Sequence, residues 1–253
     1  MKLFSTYSVK IKHYSHIFKE TVALYRAAVD FLIQVCLDEW DTLSEMNGVL
    51  RNNYVEQLCH RTKDNPDVVY PAFDRKFYKF PSYLRRSAIS EAIGKVSSYK
   101  SNLTNWESED PNTRGRRPSA PKAGYVYPSM YRTVMYEQSG DYEMKIKVFI
   151  RNTWDWLTVK VRKSDMDYIN RRCASRKKCA PTLQKRGKEW FLDFPFEETV
   201  KLPDTDVFDQ TILAVDLGIN AAATVSVMRA DLRQTFLQAA ERIRLSEPCG
   251  KPN

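Results

Sequence analysis

The residue of greatest chemical interest is Asp216, within the stretch TILAVDLGINAAATVSVM at residues 211–228. Four apolar residues precede this carboxylate, Gly218 follows it, and a second, largely apolar run occupies residues 221–227. The pattern predicts a β-hairpin with a buried or half-buried Asp. A charge there is costly unless a cation or a divalent metal such as Mg²⁺ pairs with it. The alternative is an Asp that caps the turn at Gly218, and the pattern alone leaves both open.

Basic residues form the second group that could do chemistry. The densest cluster lies between residues 171 and 186, with Tyr168 and Trp190 beside it, and a second cluster lies at residues 114–117. Cations bind phosphates and aromatic rings stack on bases, although a solubilising surface loop has the same composition. The predicted nucleic-acid-binding residues are Arg85, Arg86, Lys100, Arg114, Arg116, Arg117, Arg171, Arg172, Arg176, Lys177, Lys178, Lys185 and Arg186.

Charge and composition narrow the class of protein. The net charge of +9 and the pI of about 9.2 suit a polyanionic partner. No run reaches the roughly 20 apolar residues that span a bilayer, and the N-terminus lacks a signal-peptide core. The five cysteines are scattered and include no CxxC pair, so a zinc site is not predicted. We expect a reduced, cytoplasmic protein.

Helical patterns occupy the first half of the chain, after an alternating strand at residues 3–11. Apolar residues recur every three or four positions from residue 18 to residue 43, after a possible N-cap at Ser15. A shorter helix is predicted at residues 49–60. A third begins with Ser82 as its cap. Its predicted core stripe is Leu84, Ala88, Ala92, Val96, Tyr99, Leu103 and Trp106.

Strand patterns occupy the second half, after a Pro-, Gly- and Arg-rich linker. Residues 144–149 and 157–162 alternate, and residues 181–197 read as a hairpin around Gly187. Short strands with tight turns predict a small antiparallel barrel or sandwich, into which the N-terminal strand pairs. The predicted fold class is therefore α+β, with the helices inserted between the first strand and the rest.

The motif VDLGIN at residues 215–220 resembles the first RuvC motif of the TnpB family. These are OrfB-type proteins of insertion sequences, related to type V CRISPR effectors. Weaker similarities are LRRSA at residues 84–88, continuing to Trp106 as a recognition helix, GRRP at residues 115–118, and KRGKEWFL at residues 185–192. The resemblance implies RNA-guided DNA cleavage, with guide RNA and DNA as partners and Mg²⁺ as cofactor.

The resemblance also implies a domain plan. A wedge β-domain would comprise residues 1–14 and 129–208, interrupted by a helical recognition lobe at residues 15–110 and a linker at residues 111–128. A RuvC-like nuclease domain would start at residues 209–230. Residues 231–253 form an atypical tail, interpreted as a short amphipathic helix at residues 232–245, and the zinc ribbon usual in the family has no counterpart here.

A RuvC centre uses three carboxylates around two metal ions. Asp216 resembles the first of them, whereas Glu241 and Glu247, the only downstream glutamates, do not follow apolar strands. We therefore expect a truncated copy that binds nucleic acid, does not hold Mg²⁺ stably and does not cleave. The alternatives are a domesticated, nuclease-dead regulator guided by RNA, or a pseudogene product without function.

Overall fold

The structure, a computed structural model, describes residues 1–12, 16–131 and 133–201. It also describes the backbone of three later strands, β8 to β10. The chain divides into two compact units, one formed by Lys2–Thr199 and the other by residue 1 together with Val200–Asn253. Among the described helices, none has the length and apolar character needed to cross a membrane.

Five helices follow the first strand in the larger unit. They are α1 (His16–Asp38), α2 (Trp40–Glu45), α3 (Gly48–Cys59), α4 (Ala72–Lys76) and α5 (Ser82–Ser108).

Two predicted helix boundaries were wrong. The helix expected to run to residue 43 breaks at Glu39, whose carboxylate accepts hydrogen bonds from the hydroxyl groups of Tyr54 and Tyr70. Ser82 is the first residue of α5 rather than its cap. Pro81 takes the cap position, with a non-helical ψ of 137° and without a side-chain hydrogen bond. Ser15 lies outside the described residues.

The buried face of α1 confirms the predicted stripe. Phe18, Val22, Tyr25, Val29, Leu32 and Cys36 are all buried. Along the predicted stripe of α5, Leu84, Ala88, Ala92 and Val96 are buried, whereas Tyr99, Leu103 and Trp106 are half-buried. The predicted core stripe of α5 is therefore right for its first four residues and wrong for its last three.

Seven strands and a sixth helix complete the larger unit. The strands are β1 (Lys2–Lys10), β2 (Tyr136–Gln138), β3 (Glu143–Ile150), β4 (Thr153–Lys160), β5 (Lys177–Lys178), β6 (Thr182–Arg186) and β7 (Glu189–Thr199), and α6 is Lys163–Arg172.

Antiparallel pairing arranges these strands in two sheets. β1 lies along β7, and β5 and β6 pair with β7 as well. The second sheet has the order β2-β3-β4. The predicted pairing of the N-terminal strand into the sheet of the later strands is confirmed, as is the turn at Gly187, which has a φ of 57°. A glycine suits that left-handed conformation because it has no Cβ.

The two sheets do not close into a barrel within the described residues, so the barrel prediction was wrong and the mixed α+β class was right. Near the strand ends, the two sheets are joined by the bridge of Ile11 with Val161 and by the hydrogen bond from the Arg162 N–H to the Lys10 carbonyl. α1 packs against both sheets. Its Phe18 packs edge-on against Trp190 at 5.3 Å, and its Thr21 hydroxyl accepts a hydrogen bond from the Phe149 backbone.

The smaller unit contains a three-stranded antiparallel sheet of β8 (Thr211–Asp216), β9 (Ala223–Arg229) and β10 (Ala239–Ile243), with β9 in the middle. The hairpin predicted around Asp216 is confirmed, and its turn at residues 217–222 lies outside the described residues. The predicted tail helix is wrong for residues 239–243, which pair with β9 and thereby satisfy backbone groups along its edge.

Candidate nucleic-acid interface

The segment predicted as a linker is docked along α5. We call residues 111–131 the strap. Near its start, Gly115 accepts a hydrogen bond of 2.7 Å from the indole Nε1 of Trp106, in the last turns of α5. At its end, the ring of Tyr131 lies 5.3 Å from that of Tyr83, in the first turn of α5. The strap therefore runs antiparallel to α5 along the length of the helix.

Side chains of α1 hold the strap from the other side. The Ala123 backbone N–H donates to Asp30 Oδ1 over 2.6 Å, and Arg26 Nε donates to the Val126 carbonyl over 3.0 Å. The Arg26 guanidinium also lies 4.7 Å from the ring centroid of Tyr127. These contacts join two ordered helices through the strap, which is why its backbone keeps a defined path without regular secondary structure.

An open groove of about 740 Å³ lies between α5 and the strap. Its lining is mostly polar, with Lys95, Ser98, Tyr99 and Asn102 on the helix and Lys122 on the strap. Glu91 is the one acidic residue among the described residues that line it. A groove flanked by two lysines and containing a tyrosine can bind phosphates and an aromatic ring together.

Trp106 lies at the C-terminal end of α5, in contact with the basic part of the strap. The Arg114 guanidinium carbon is 3.9 Å from the indole centroid, and that of Arg117 is 6.0 Å away. Cations over a tryptophan face are attracted by the ring quadrupole. Sequence periodicity placed Trp106 in the core; the structure leaves it half-buried because the strap, rather than another helix, covers this end of α5.

Arg85 and Arg86 have different environments although they are adjacent. Arg85 is buried and donates to Glu56 Oε1 from two nitrogens, at 3.0 and 2.8 Å. Arg86 is exposed and contacts Glu56 Oε2 at 3.2 Å. Arg85 was predicted to contact nucleic acid; it is instead buried as a partner of Glu56 and does not belong to the candidate interface. Lys100 is half-buried on α5, and Arg116 is exposed on the strap.

The cations of the cluster at residues 171–186 have different surroundings. Arg171 and Arg172 are exposed in the last turn of α6, where positive charge is favourable to the helix dipole. Lys178 lies 4.2 Å from the ring centroid of Phe194, and Lys185 is half-buried. The paired cations are Arg176 with Glu198 at 2.8 Å, Lys177 with Glu197 at 3.3 Å, and Arg186 with Asp193 at 2.5 Å.

These ion pairs reduce the charge that the densest cluster offers to a ligand. Hydrogen bonds from Lys2 and then Lys177 lower the pKa of Glu197 below its ordinary value, so this carboxylate stays charged. The unpaired cations of this region are therefore fewer than its sequence suggests. Arg171 and Arg172 are its two predicted contacts that are both exposed and without an ion pair in the described chain.

A metal centre finds no support among the described side chains, where no group of three or more His, Cys, Asp or Glu could hold an ion. Asp216 ends β8 opposite Thr224 of β9, and Thr224 is opposite Arg242 of β10. The same row therefore has a cationic residue, not a second acidic one, two strands away from Asp216. The Asp216 side chain lies outside the described part, so its role as a Mg²⁺ ligand stays a prediction.

The fold is a mixed α+β arrangement of antiparallel sheets with an inserted helical region. The chain belongs to the Aq_aa04 family, whose profile matches residues 5–150, from β1 through β3. One relative is the uncharacterized protein aq_aa04 of Aquifex aeolicus (strain VF5), which is 37% identical over 83 residues. The match covers 33% of this chain and 45% of that protein, so it spans less than half of the relative's length.

Among solved structures, the chain is similar to one from the cryo-EM structure of a Cas12f1–sgRNA–target DNA complex. The TM-score is 0.37 and the identity 11%, over 88% of this chain and 48% of the other. A similarity at this level establishes neither a shared activity nor shared ligands.

Sequence reasoning missed the groove and three of the residues that form it. Lys95, Tyr99 and Lys122 were not among the predicted contacts, although Lys95 and Tyr99 are four residues apart on α5 and so share a side of the helix. That spacing was the available signal. The opposite wall of the groove depends on where the strap docks, which periodicity does not report.

Proposed function

We propose that this protein binds nucleic acid through its phosphates, as a TnpB-like protein whose partners are RNA and DNA. The observation that carries the proposal is the charge of two segments without Asp or Glu: residues 111–128 contain four cations and residues 171–188 contain eight. Arg116, Arg117, Arg171 and Arg172 are exposed, and none forms an ion pair within the described chain. Binding such cations releases counterions from nucleic acid, which favours association.

The TnpB-like assignment is the finer part of the proposal. It is supported by the VDLGIN motif, whose Asp216 ends β8 in an antiparallel hairpin with β9. A guide RNA and a DNA target are the partners that this resemblance implies. The described cysteines are free thiols, which supports a reducing compartment such as the cytoplasm.

Salt dependence tests the binding proposal. Fluorescence anisotropy with labelled RNA and duplex DNA between about 50 and 200 mM salt should give a steep fall in affinity. For four phosphate contacts on duplex DNA, the logarithm of the binding constant should fall with a slope of about −3.6 against the logarithm of salt concentration. A binding constant that stays flat over this range would contradict the proposal.

Neutralising exposed cations then tests the location of the surface. The variant with Arg116, Arg117, Arg171 and Arg172 changed to Gln should bind more weakly and with a smaller slope, because fewer counterions are released. The matched control changes Arg61, Lys63, Arg75 and Lys79, four exposed cations of another region, to Gln. Both variants lose the same formal charge, so an equal loss in the control would show that the assigned surface is wrong.

A further inference from the structure

We propose that the groove between α5 and the strap binds a single-stranded segment of nucleic acid, with Trp106 as the platform on which a base stacks. This inference rests on the proposed function and adds the form of the polymer and the place where it is held. It concerns residues that sequence periodicity assigned to the helix core.

The size and lining of the groove favour a single strand. Its volume of about 740 Å³ is that of a pocket for a small ligand, so it can hold a short stretch of nucleotides but cannot enclose a duplex. Lys95 and Lys122 stand on its two walls, where a phosphate passing between them would contact both charges. In a duplex the bases are paired and stacked, and their faces cannot reach an aromatic side chain on a helix.

Aromatic residues lie on the same side of α5 at the groove and beyond it. Tyr99 lines the groove, and Trp106 follows seven residues later, about 10 Å farther along the helix axis. Residues seven apart lie on nearly the same face of a helix. One strand could therefore place successive bases against both rings, which is how proteins without sequence preference hold single strands.

Arg114 occupies the face of Trp106 that a base would use. Its guanidinium carbon is 3.9 Å from the ring centroid, the spacing of a stacked pair, and it forms no ion pair within the described chain. A base can replace the guanidinium on the indole, and the displaced arginine can then bind the phosphate of the same nucleotide. The hydrogen bond from Trp106 Nε1 to the Gly115 carbonyl fixes the orientation of the indole ring.

The acidic residue Glu91 indicates which end of the groove a nucleic-acid strand would occupy. Glu91 lies at the end remote from Trp106, fifteen residues earlier in α5, where its charge would repel a phosphate. We expect the strand to occupy the part of the groove between Lys95 and Trp106.

The test uses the full chain, a labelled oligothymidylate and a blunt duplex of the same length. Trp106→Leu should weaken binding of the single strand by about 5- to 150-fold, the range for removing one stacked base, and leave duplex affinity within about twofold. Trp106→Phe keeps an aromatic face and should retain most of the affinity. The paired change of Lys95 and Lys122 to Gln should weaken single-strand binding more than the control pair Arg61 and Lys63 to Gln.

The outcomes separate the two proposals. If Trp106→Leu keeps its affinity for the single strand and its salt-dependent binding, the proposal about the groove is wrong and the proposed function still stands. Equal losses for single strand and duplex would also overturn it, as would a Phe variant as weak as the Leu variant. Absence of binding by the wild type would contradict the proposed function itself. If Trp106→Leu does not fold, the two paired variants decide: an equal loss of single-strand affinity in the Lys95/Lys122 variant and in the Arg61/Lys63 control would overturn the proposal.

Discussion

At the scale of single residues, adjacency in the sequence does not mean a shared environment. Arg85 and Arg86 are successive residues of α5, about 100° apart around the helix. Arg85 therefore points into the contact with α3, where Glu56 meets it, and Arg86 reaches solvent. Arg85, which the sequence suggested as a nucleic-acid contact, is therefore buried in the fold because its side chain points in a different direction from that of Arg86.

Removing Glu56 should destabilise the protein. In Glu56→Ala the guanidinium of Arg85 loses its partner while it remains buried, with only 7% of its side chain exposed. We expect the free energy of unfolding to fall by about 3 kcal/mol, the lower end of the cost of leaving a buried charge unpaired. Urea unfolding measures it, with Glu107→Ala, an exposed position near the end of α5, as the control. Equal stability of the two variants would show that Arg85 finds another partner or water.

Two buried thiols should make stability depend on alkaline pH. Burial raises the pKa of the Cys36 thiol from its ordinary value of 9.0 to about 12. Burial is also the main reason that the pKa of Cys59 is raised to about 12. The folded state therefore keeps protons that the unfolded chain loses. The stabilisation is fully present below pH 9 and is lost as the pH rises towards 12.

The measurement is the free energy of unfolding at several pH values from 8 upward, for the wild type and for a variant with Cys36 and Cys59 changed to Ala. The free energy of unfolding should decline less steeply with pH in the variant than in the wild type. This difference in slope does not depend on how much stability the two Cys→Ala cavities cost. Cys179→Ala, at a half-buried position, is the control. Parallel curves for the wild type and the double variant would show that Cys36 and Cys59 do not cause the pH dependence.

At the scale of elements, α5 has two halves with different roles. In its first half, Ser87 contacts Tyr25 of α1 and Arg85 contacts Glu56 of α3. In its second half, Trp106 contacts the strap at Gly115. The apolar spacing is the same throughout, because periodicity records which side of a helix is apolar and not how much of the helix its neighbours reach.

Paired substitutions along α5 should show this division. Leu84 is completely buried, so Leu84→Ala should lower the free energy of unfolding by about 2–5 kcal/mol. Leu103 is half-buried, and Leu103→Ala should cost clearly less, because a partly exposed site leaves no closed cavity. Chemical denaturation of both variants in one buffer gives the comparison. A larger loss for Leu103 would mean that the strap packs this end as tightly as a helix does.

At the scale of the whole molecule, the proposed binding surface and the predicted metal-binding carboxylate belong to different parts of the chain. The proposed binding surface lies in the unit Lys2–Thr199, and Asp216 lies in the other unit. One carboxylate cannot clamp two metal ions, and Mg²⁺ gives up its water ligands reluctantly. Residues 1–253 should therefore bind nucleic acid without cutting it.

Side-by-side assays of wild type and Asp216→Ala test this expectation. We expect no cleavage of labelled DNA or RNA by either protein with Mg²⁺ or Mn²⁺, with or without added RNA, and equal binding by both. Metal-dependent cleavage that disappears in Asp216→Ala would show that a working centre forms, for example with carboxylates from a second copy.

The sequence by itself determined the α+β class, the buried stripe of α1, the hairpin at Gly187, the alternation of Met144, Ile146 and Val148, and the β8–β9 hairpin. Each depends on the direction of side chains along one local element, which a period of 3.6 or 2 records. The tertiary structure decided the rest: α1 between two open sheets, Arg85 turned inward to Glu56, and the strap docked on α5. These depend on contacts between residues far apart in the chain. A local pattern cannot specify them, because an apolar or charged residue can be stabilised by many different neighbours. The tertiary fold determines which neighbour each residue contacts.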